Sequence, residues 1–185
     1  MGQKQAAYDS TGNITAFYDS VDSQAPLSAK VLNITDAQWQ ACLSKQGWTV
    51  VSGALTPPPA LTAAQLLAQA QASQIATLRQ SYGAAIQQAV SYTSKGGVTT
   101  TYQADPQSVA NLTQMLLAFQ AAAATPSGFY WVSLDNTQVP FTYADMQGLA
   151  AAFGAQGAAA FQHLQTLKAE VMAATTVSAV QAIVW

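Results

Sequence analysis

Apolar positions along this chain change period several times, and each change marks an element. Ile14 to Tyr18 is dense in β-branched and aromatic residues and predicts a strand, entered through the turn residues Asp9 to Asn13. Val31-Leu32 predicts a second short strand after a polar loop over 19–29. Thr35 and Gln38 stand at capping-box spacing, and Ile34 with Trp39 at staple spacing, so a helix starts at Thr35. It runs to about Lys45 and stops at Gly47. Trp48 to Val51 is the next strand.

Pro57-Pro58-Pro59 then favours a stiff extended spacer. Thr62 and Gln65 repeat the capping box, with Leu61 and Leu66 as staple. Leu67, Ile75, Leu78, Tyr82, Ile86 and Val90 fall on one face, which carries this helix to about Val90. Gly96-Gly97, between arms rich in Thr and Tyr, predicts a hairpin over 92–102. Asp105-Pro106 opens a helix whose apolar face is Val109, Leu112, Met115, Leu116 and Phe119. After Thr125 to Gly128, Phe129 to Val132 and Thr137 to Phe141 predict a hairpin around Asp135-Asn136. Thr142 caps the next helix, with Phe141 and Met146 at its staple positions. Gly154, Gln156 and Gly157 divide the remaining chain into helices of about 143–153 and 157–173, with a short one near 177–183.

The fold class is therefore α+β. A small N-terminal strand–helix–strand unit (1–56) precedes a Pro-rich linker (57–61) and a mainly helical domain with one or two β-hairpins (62–185). The N-terminal unit is near the size below which domains struggle to fold alone.

Composition narrows the function. Only 8% of the 185 residues are charged and the net charge is −2, so no basic stripe exists to neutralise phosphates and nucleic acid is not an expected partner. The most apolar run, Leu149 to Phe161, is too short and too interrupted for a membrane span. The N-terminus has no apolar signal-peptide core, which points to the cytoplasm of the producing cell. One cysteine, Cys42, excludes an intrachain disulfide. His163 is the only histidine and has no partner set for a metal. Asp19 and Asp22 are the nearest carboxylate pair, in a loop without the contrasting environments that acid–base catalysis needs. No nucleophile elbow or phosphate loop occurs. The expectation is a non-enzyme without cofactor, metal or catalytic residues.

Aromatic residues are what remains. Trp39, Trp48 and Trp131 are assigned to cores. Tyr8, Phe17 and Tyr18, on an edge strand of an undersized unit, are the candidates for a partner-binding surface. Tyr130, Trp131 and Tyr143 are alternative ligand-contact aromatics, because such rings join a large apolar area to a polar handle.

Tyr8-Asp9, Gly12, Ile34-Thr35-Asp36-x-x-Trp39, Pro57-Pro58-Pro59 and the long Ala/Gln helix together resemble tail-fibre assembly proteins of tailed bacteriophages and their prophage relatives. The second half resembles a domain of unassigned function found in phage tail and tail-fibre assembly proteins. The residues carrying that likeness are Trp131 ahead of Asp135-Asn136, Thr142 and its helix, Leu167-Lys168, Ala173-Ala174-Thr175 and Ala182-Ile183-Val184-Trp185. The resemblance implies a non-enzymatic chaperone. It would bind the C-terminal region of a trimeric tail fibre in the bacterial host cytoplasm during assembly, and some such proteins stay at the fibre tip of the virion. The competing expectation is a tip protein for host recognition, with Tyr130, Trp131 and Tyr143 stacking on surface polysaccharide. A hydrolase has no support beyond isolated Asp residues.

Overall fold

A computed structural model describes residues 2–185 as an α+β chain in two units, one through Leu61 and the other from Thr62 to Trp185.

The first unit is built on a three-stranded antiparallel sheet. Its strands are β1 (Lys4–Tyr8), β2 (Ile14–Asp19) and β3 (Val31–Ile34), in the order β2-β1-β3. The β1–β2 turn is organised by Asp9, whose carboxylate accepts from the Thr11 N–H at 2.8 Å, the Thr11 hydroxyl at 2.6 Å and the Asn13 N–H at 3.0 Å. Gly12 follows at φ 88°, and a Cβ there would lie 2.3 Å from the Val50 carbonyl oxygen. Only glycine meets both demands. Helix α1 (Asp36–Ser44) begins with the reciprocal Thr35–Gln38 box. It ends at Lys45, two residues before the left-handed Gly47.

The strand expected over 48–51 is half of a hairpin, β4 (Thr49–Val51) with β5 (Ala54–Thr56). Ser52 at φ 51° and Gly53 at φ 78° supply the two left-handed residues of a tight hairpin turn. Pro58 packs within this unit, its Cβ 3.3 Å from where a Gly47 side chain would begin.

The second unit has two apolar clusters threaded by one long helix. Helix α2 (Ala63–Ala85) starts with the Thr62–Gln65 box. The hairpin of β6 (Val90–Thr93) and β7 (Thr99–Tyr102) leads to α3 (Pro106–Phe119), capped by Asp105. A second hairpin, β8 (Tyr130–Val132) with β9 (Gln138–Pro140), leads to α4 (Tyr143–Ala173), and α5 (Val177–Gln181) closes the chain. Tyr102, Leu112, Val139, Phe141, Met146 and Leu149 form one cluster; Leu78, Leu164, Leu167, Val171 and Val180 form the other.

Two expectations change here. Helix α2 stops at Ala85, and Val90 opens β6 instead. The stop is made from α4: the Gln156 amide donates to the carbonyls of Ala85, Ile86 and Gln88 at 2.9–3.2 Å, satisfying groups that a helix end leaves open. The expected division of residues 143–173 into two helices is also wrong, because α4 is continuous across Gly154 and Gly157. Each interior glycine costs about 1 kcal/mol relative to Ala. The helix is held in both clusters, by Met146 and Leu149 before the glycines and by Leu164, Leu167 and Val171 after them.

Candidate functional site

The register of the first sheet decides what Tyr8, Phe17 and Tyr18 can do. Lys4 pairs with Asp19, Ala6 with Phe17 and Gln5 with Tyr18. Successive strand residues face opposite sides, so Lys4, Ala6, Tyr8, Phe17 and Asp19 share one face and Gln5, Ala7 and Tyr18 the other. The Lys4 ammonium lies 5.0 Å from the centre of the Trp39 ring, which identifies the first face as the one towards α1. Tyr8 sits on the central strand, and Phe17 and Tyr18 on the edge strand but on opposite faces. All three are half-buried. They do not form one patch.

Main-chain groups tell a clearer story. Asp19 and Ser23 exchange two hydrogen bonds on the outer side of β2, at 3.0 and 3.1 Å. By alternation, Phe17 also directs its N–H and C=O away from β1. This edge is short: a bulge between the Ala7 and Tyr8 pairings distorts it, and Asn13 bridges Thr49 at its start. On β3, Tyr8 N–H donates to the Lys30 carbonyl at 3.0 Å, so Val31 and Asn33 are the residues whose main-chain groups face outward. These groups have no partner among the described residues.

Asp19 is a buried strand residue rather than a loop residue, and it is a structural anion. Its carboxylate accepts from the Lys4 ammonium at 2.7 Å and from the N–H groups of Val21 and Asp22 at 2.8 and 3.1 Å. These bonds, the Lys4 bond first, hold its pKa well below the usual carboxylate range, while the same bond raises that of Lys4.

In the second unit, Tyr130 and Trp131 border a cleft of about 320 Å3 with Gln103, Asn111 and Asn136. The Trp131 indole N–H makes no hydrogen bond within the described residues and is not sealed from solvent. Tyr143 lies elsewhere, in a groove of about 410 Å3 with Leu116, Leu117 and Gln147. The three aromatics expected to act together are therefore divided between two places. His163 is exposed and meets Trp185 edge-on, ring centres 4.8 Å apart.

Asp145 is a residue that the sequence pattern did not single out. It is 1% exposed at the base of α4 and accepts from the Thr142 N–H (2.8 Å), the Thr142 hydroxyl (2.6 Å), the Lys95 N–H (2.6 Å) and the Tyr92 hydroxyl (3.4 Å). Burial pushes its pKa up, but the bonds from Thr142, Lys95 and Tyr92 outweigh it and the net shift is downward. Its place three residues after Thr142 was a visible signal; Lys95 and Tyr92 were not. Among the described residues, no helix is long and apolar enough to cross a membrane.

Residues 69–184 match the family described as a domain of unknown function (DUF4376). The match covers more than half of the chain, which therefore belongs to that family. No curated protein and no solved structure matches the chain.

Proposed function

We propose that the protein is an assembly chaperone for a bacteriophage tail fibre, acting without catalysis in the host cytoplasm. It binds the C-terminal region of the fibre trimer while that region folds. The observation that carries this reading is the pair of unpartnered sheet edges in the first unit, at Phe17 on β2 and at Val31 and Asn33 on β3. A β-rich trimer folds through non-local pairing and exposes strand edges on the way. A small sheet with free edges covers such strands by adding to them. The likeness of Ile34-Thr35-Asp36-x-x-Trp39 and Pro57-Pro58-Pro59 to tail-fibre assembly proteins supports the same reading.

The test is co-expression with the C-terminal region of a candidate phage tail fibre, followed by size-exclusion chromatography. Fibre that is soluble only in the presence of this protein, and co-elutes with it, supports the proposal. Fibre that folds equally well alone refutes it. Asn33→Pro, which removes one outward N–H and the side-chain bond from Gln5 but keeps the main-chain ladder to β1, should weaken co-elution while circular dichroism stays unchanged.

The cleft at Trp131 favours a second reading, a fibre-tip protein that binds surface polysaccharide. An indole N–H and the uncharged amides of Gln103, Asn111 and Asn136 suit the hydroxyls of a neutral sugar. Tyr143 has no part in it. Trp131→Phe should then lower binding to isolated polysaccharide, and equal binding would remove this reading.

A further inference from the structure

A half-open apolar pocket of about 640 Å3 lies in the second unit between the end of α2, the start of α3 and the middle of α4. That volume falls in the range of small-molecule sites, roughly 300–1,000 Å3. Its walls are Tyr82 from α2 and Ile86 just after it, Val109 and Leu112 from α3, and Phe153 from α4. No charged side chain lines it.

The cavity is kept open by two features of α4. Gly154 and Gly157 line it, and a Cβ built on either would meet no atom within 4 Å. Glycine is the poorest helix former after proline, so a glycine here needs a reason. Gly148 on the same helix has one, since its Cβ would fall 2.3 Å from the Tyr92 hydroxyl oxygen. Packing supplies none for Gly154 and Gly157. Between them, Gln156 ties the end of α2 to α4 through three carbonyls and so fixes the spacing of the two walls. A site held at its bound dimensions loses less on binding.

We infer that this cavity is a binding site for a small, uncharged, largely apolar molecule with a hydrogen-bond donor at one end. The donor would meet Gln87 at the rim, whose amide nitrogen is already committed to the Gly83 carbonyl at 3.0 Å and whose oxygen is left as an acceptor. A protein partner fits less well. None of the five large wall residues is exposed, so their apolar surface is offered inside the hollow rather than on the outer surface of the unit. The inference goes beyond the chaperone reading and does not depend on it.

The full-length protein is titrated with N-phenyl-1-naphthylamine, a neutral apolar fluorophore. Saturable binding at one site per chain is expected. Gly157→Leu places a side chain in the hollow and should weaken binding by about tenfold or more. The double variant Gly154→Ala, Gly157→Ala is the milder form should leucine disturb folding, and it should weaken binding while raising the melting temperature. Thr166→Ala, at an exposed position of α4 away from the lining, should leave binding unchanged. Wild-type fluorescence that never saturates overturns the inference, and so does equal affinity in the filled variants.

Discussion

Replacing Asp145 by Asn changes one oxygen to an amino group at the point where the β6–β7 hairpin meets the start of α4. The carboxylate there accepts from two main-chain donors, Thr142 and Lys95, and from two hydroxyls. Asparagine retains one acceptor oxygen. If that oxygen stays with the Lys95 N–H, the new amino group faces the Thr142 N–H, donor against donor. One buried main-chain donor then loses its partner, at about 1–3 kcal/mol, and the surviving bond falls from charged to neutral strength, about 1 kcal/mol more. Asp145→Asn should therefore destabilise the second unit by roughly 2–4 kcal/mol at neutral pH.

The pH dependence gives the same effect a sign. The folded-state pKa of Asp145 lies below its ordinary value of 3.8. Its contribution is present above that ordinary value and is lost as pH falls through the folded one. The difference between wild type and variant should shrink as the pH drops below about 4. Urea unfolding of the full chain, followed by far-ultraviolet circular dichroism, measures both. The signal reports mainly the second unit, because α2, α3 and α4 have 23, 14 and 31 residues against nine in α1. A variant within about 0.5 kcal/mol of wild type at neutral pH, the range of ordinary surface changes, would refute the reasoning. So would parallel acid limbs in the two proteins.

Gly148→Ala should cost about 1–3 kcal/mol, because Tyr92 is boxed in by Tyr102 and Phe141 and cannot step aside; Gly83→Ala should instead gain up to about 1 kcal/mol. Thermal denaturation of the two variants side by side tests the contrast. Asp9 is held at about 2 by its bond from the Thr11 hydroxyl, with burial opposing and the N–H groups of Asn13 and Thr11 assisting, so a carboxyl-detected NMR titration should place its midpoint there. Thr11→Val should move that midpoint up, and the stability tied to Asp9 should be present above its ordinary 3.8 and fade as pH falls through about 2. Leu112→Ala, at a side chain 1% exposed in the first cluster, should cost about 2–5 kcal/mol by urea denaturation.

What could be read from the sequence was local. Thr35 with Gln38, Thr62 with Gln65, and Asp105 before Pro106 announce their helices because each cap closes within three residues. The end of α2 was illegible because it is made by Gln156, some seventy residues on. Periodicity then carried the helix face through Ile86 to Val90, which stands at the right interval but in a strand. The glycines at 154 and 157 looked like a break because glycine is a poor helix former, yet apolar contacts on both sides hold α4 through them. The Ser52-Gly53 turn carried a hairpin signal, which the neighbouring prolines overshadowed. No spacing along the chain could separate Tyr143 from Trp131, since the cleft and the groove are defined by α3 residues brought beside them.

The division of the chain also divides its candidate functions. The family match opens at residue 69, inside α2, and closes at 184. Every wall of the apolar cavity lies within it, whereas the free edges at Phe17, Val31 and Asn33 lie before it. A strand-covering role therefore draws on residues that the family does not include, and a ligand-holding role draws on residues that it does. Loss of fibre binding in Asn33→Pro with probe binding intact would assign strand covering to the first unit alone. Loss of probe binding in Gly157→Leu with fibre binding intact would show that the cavity serves something other than fibre capture. If filling the cavity also abolished fibre binding, the assignment of strand covering to the first unit alone would fail.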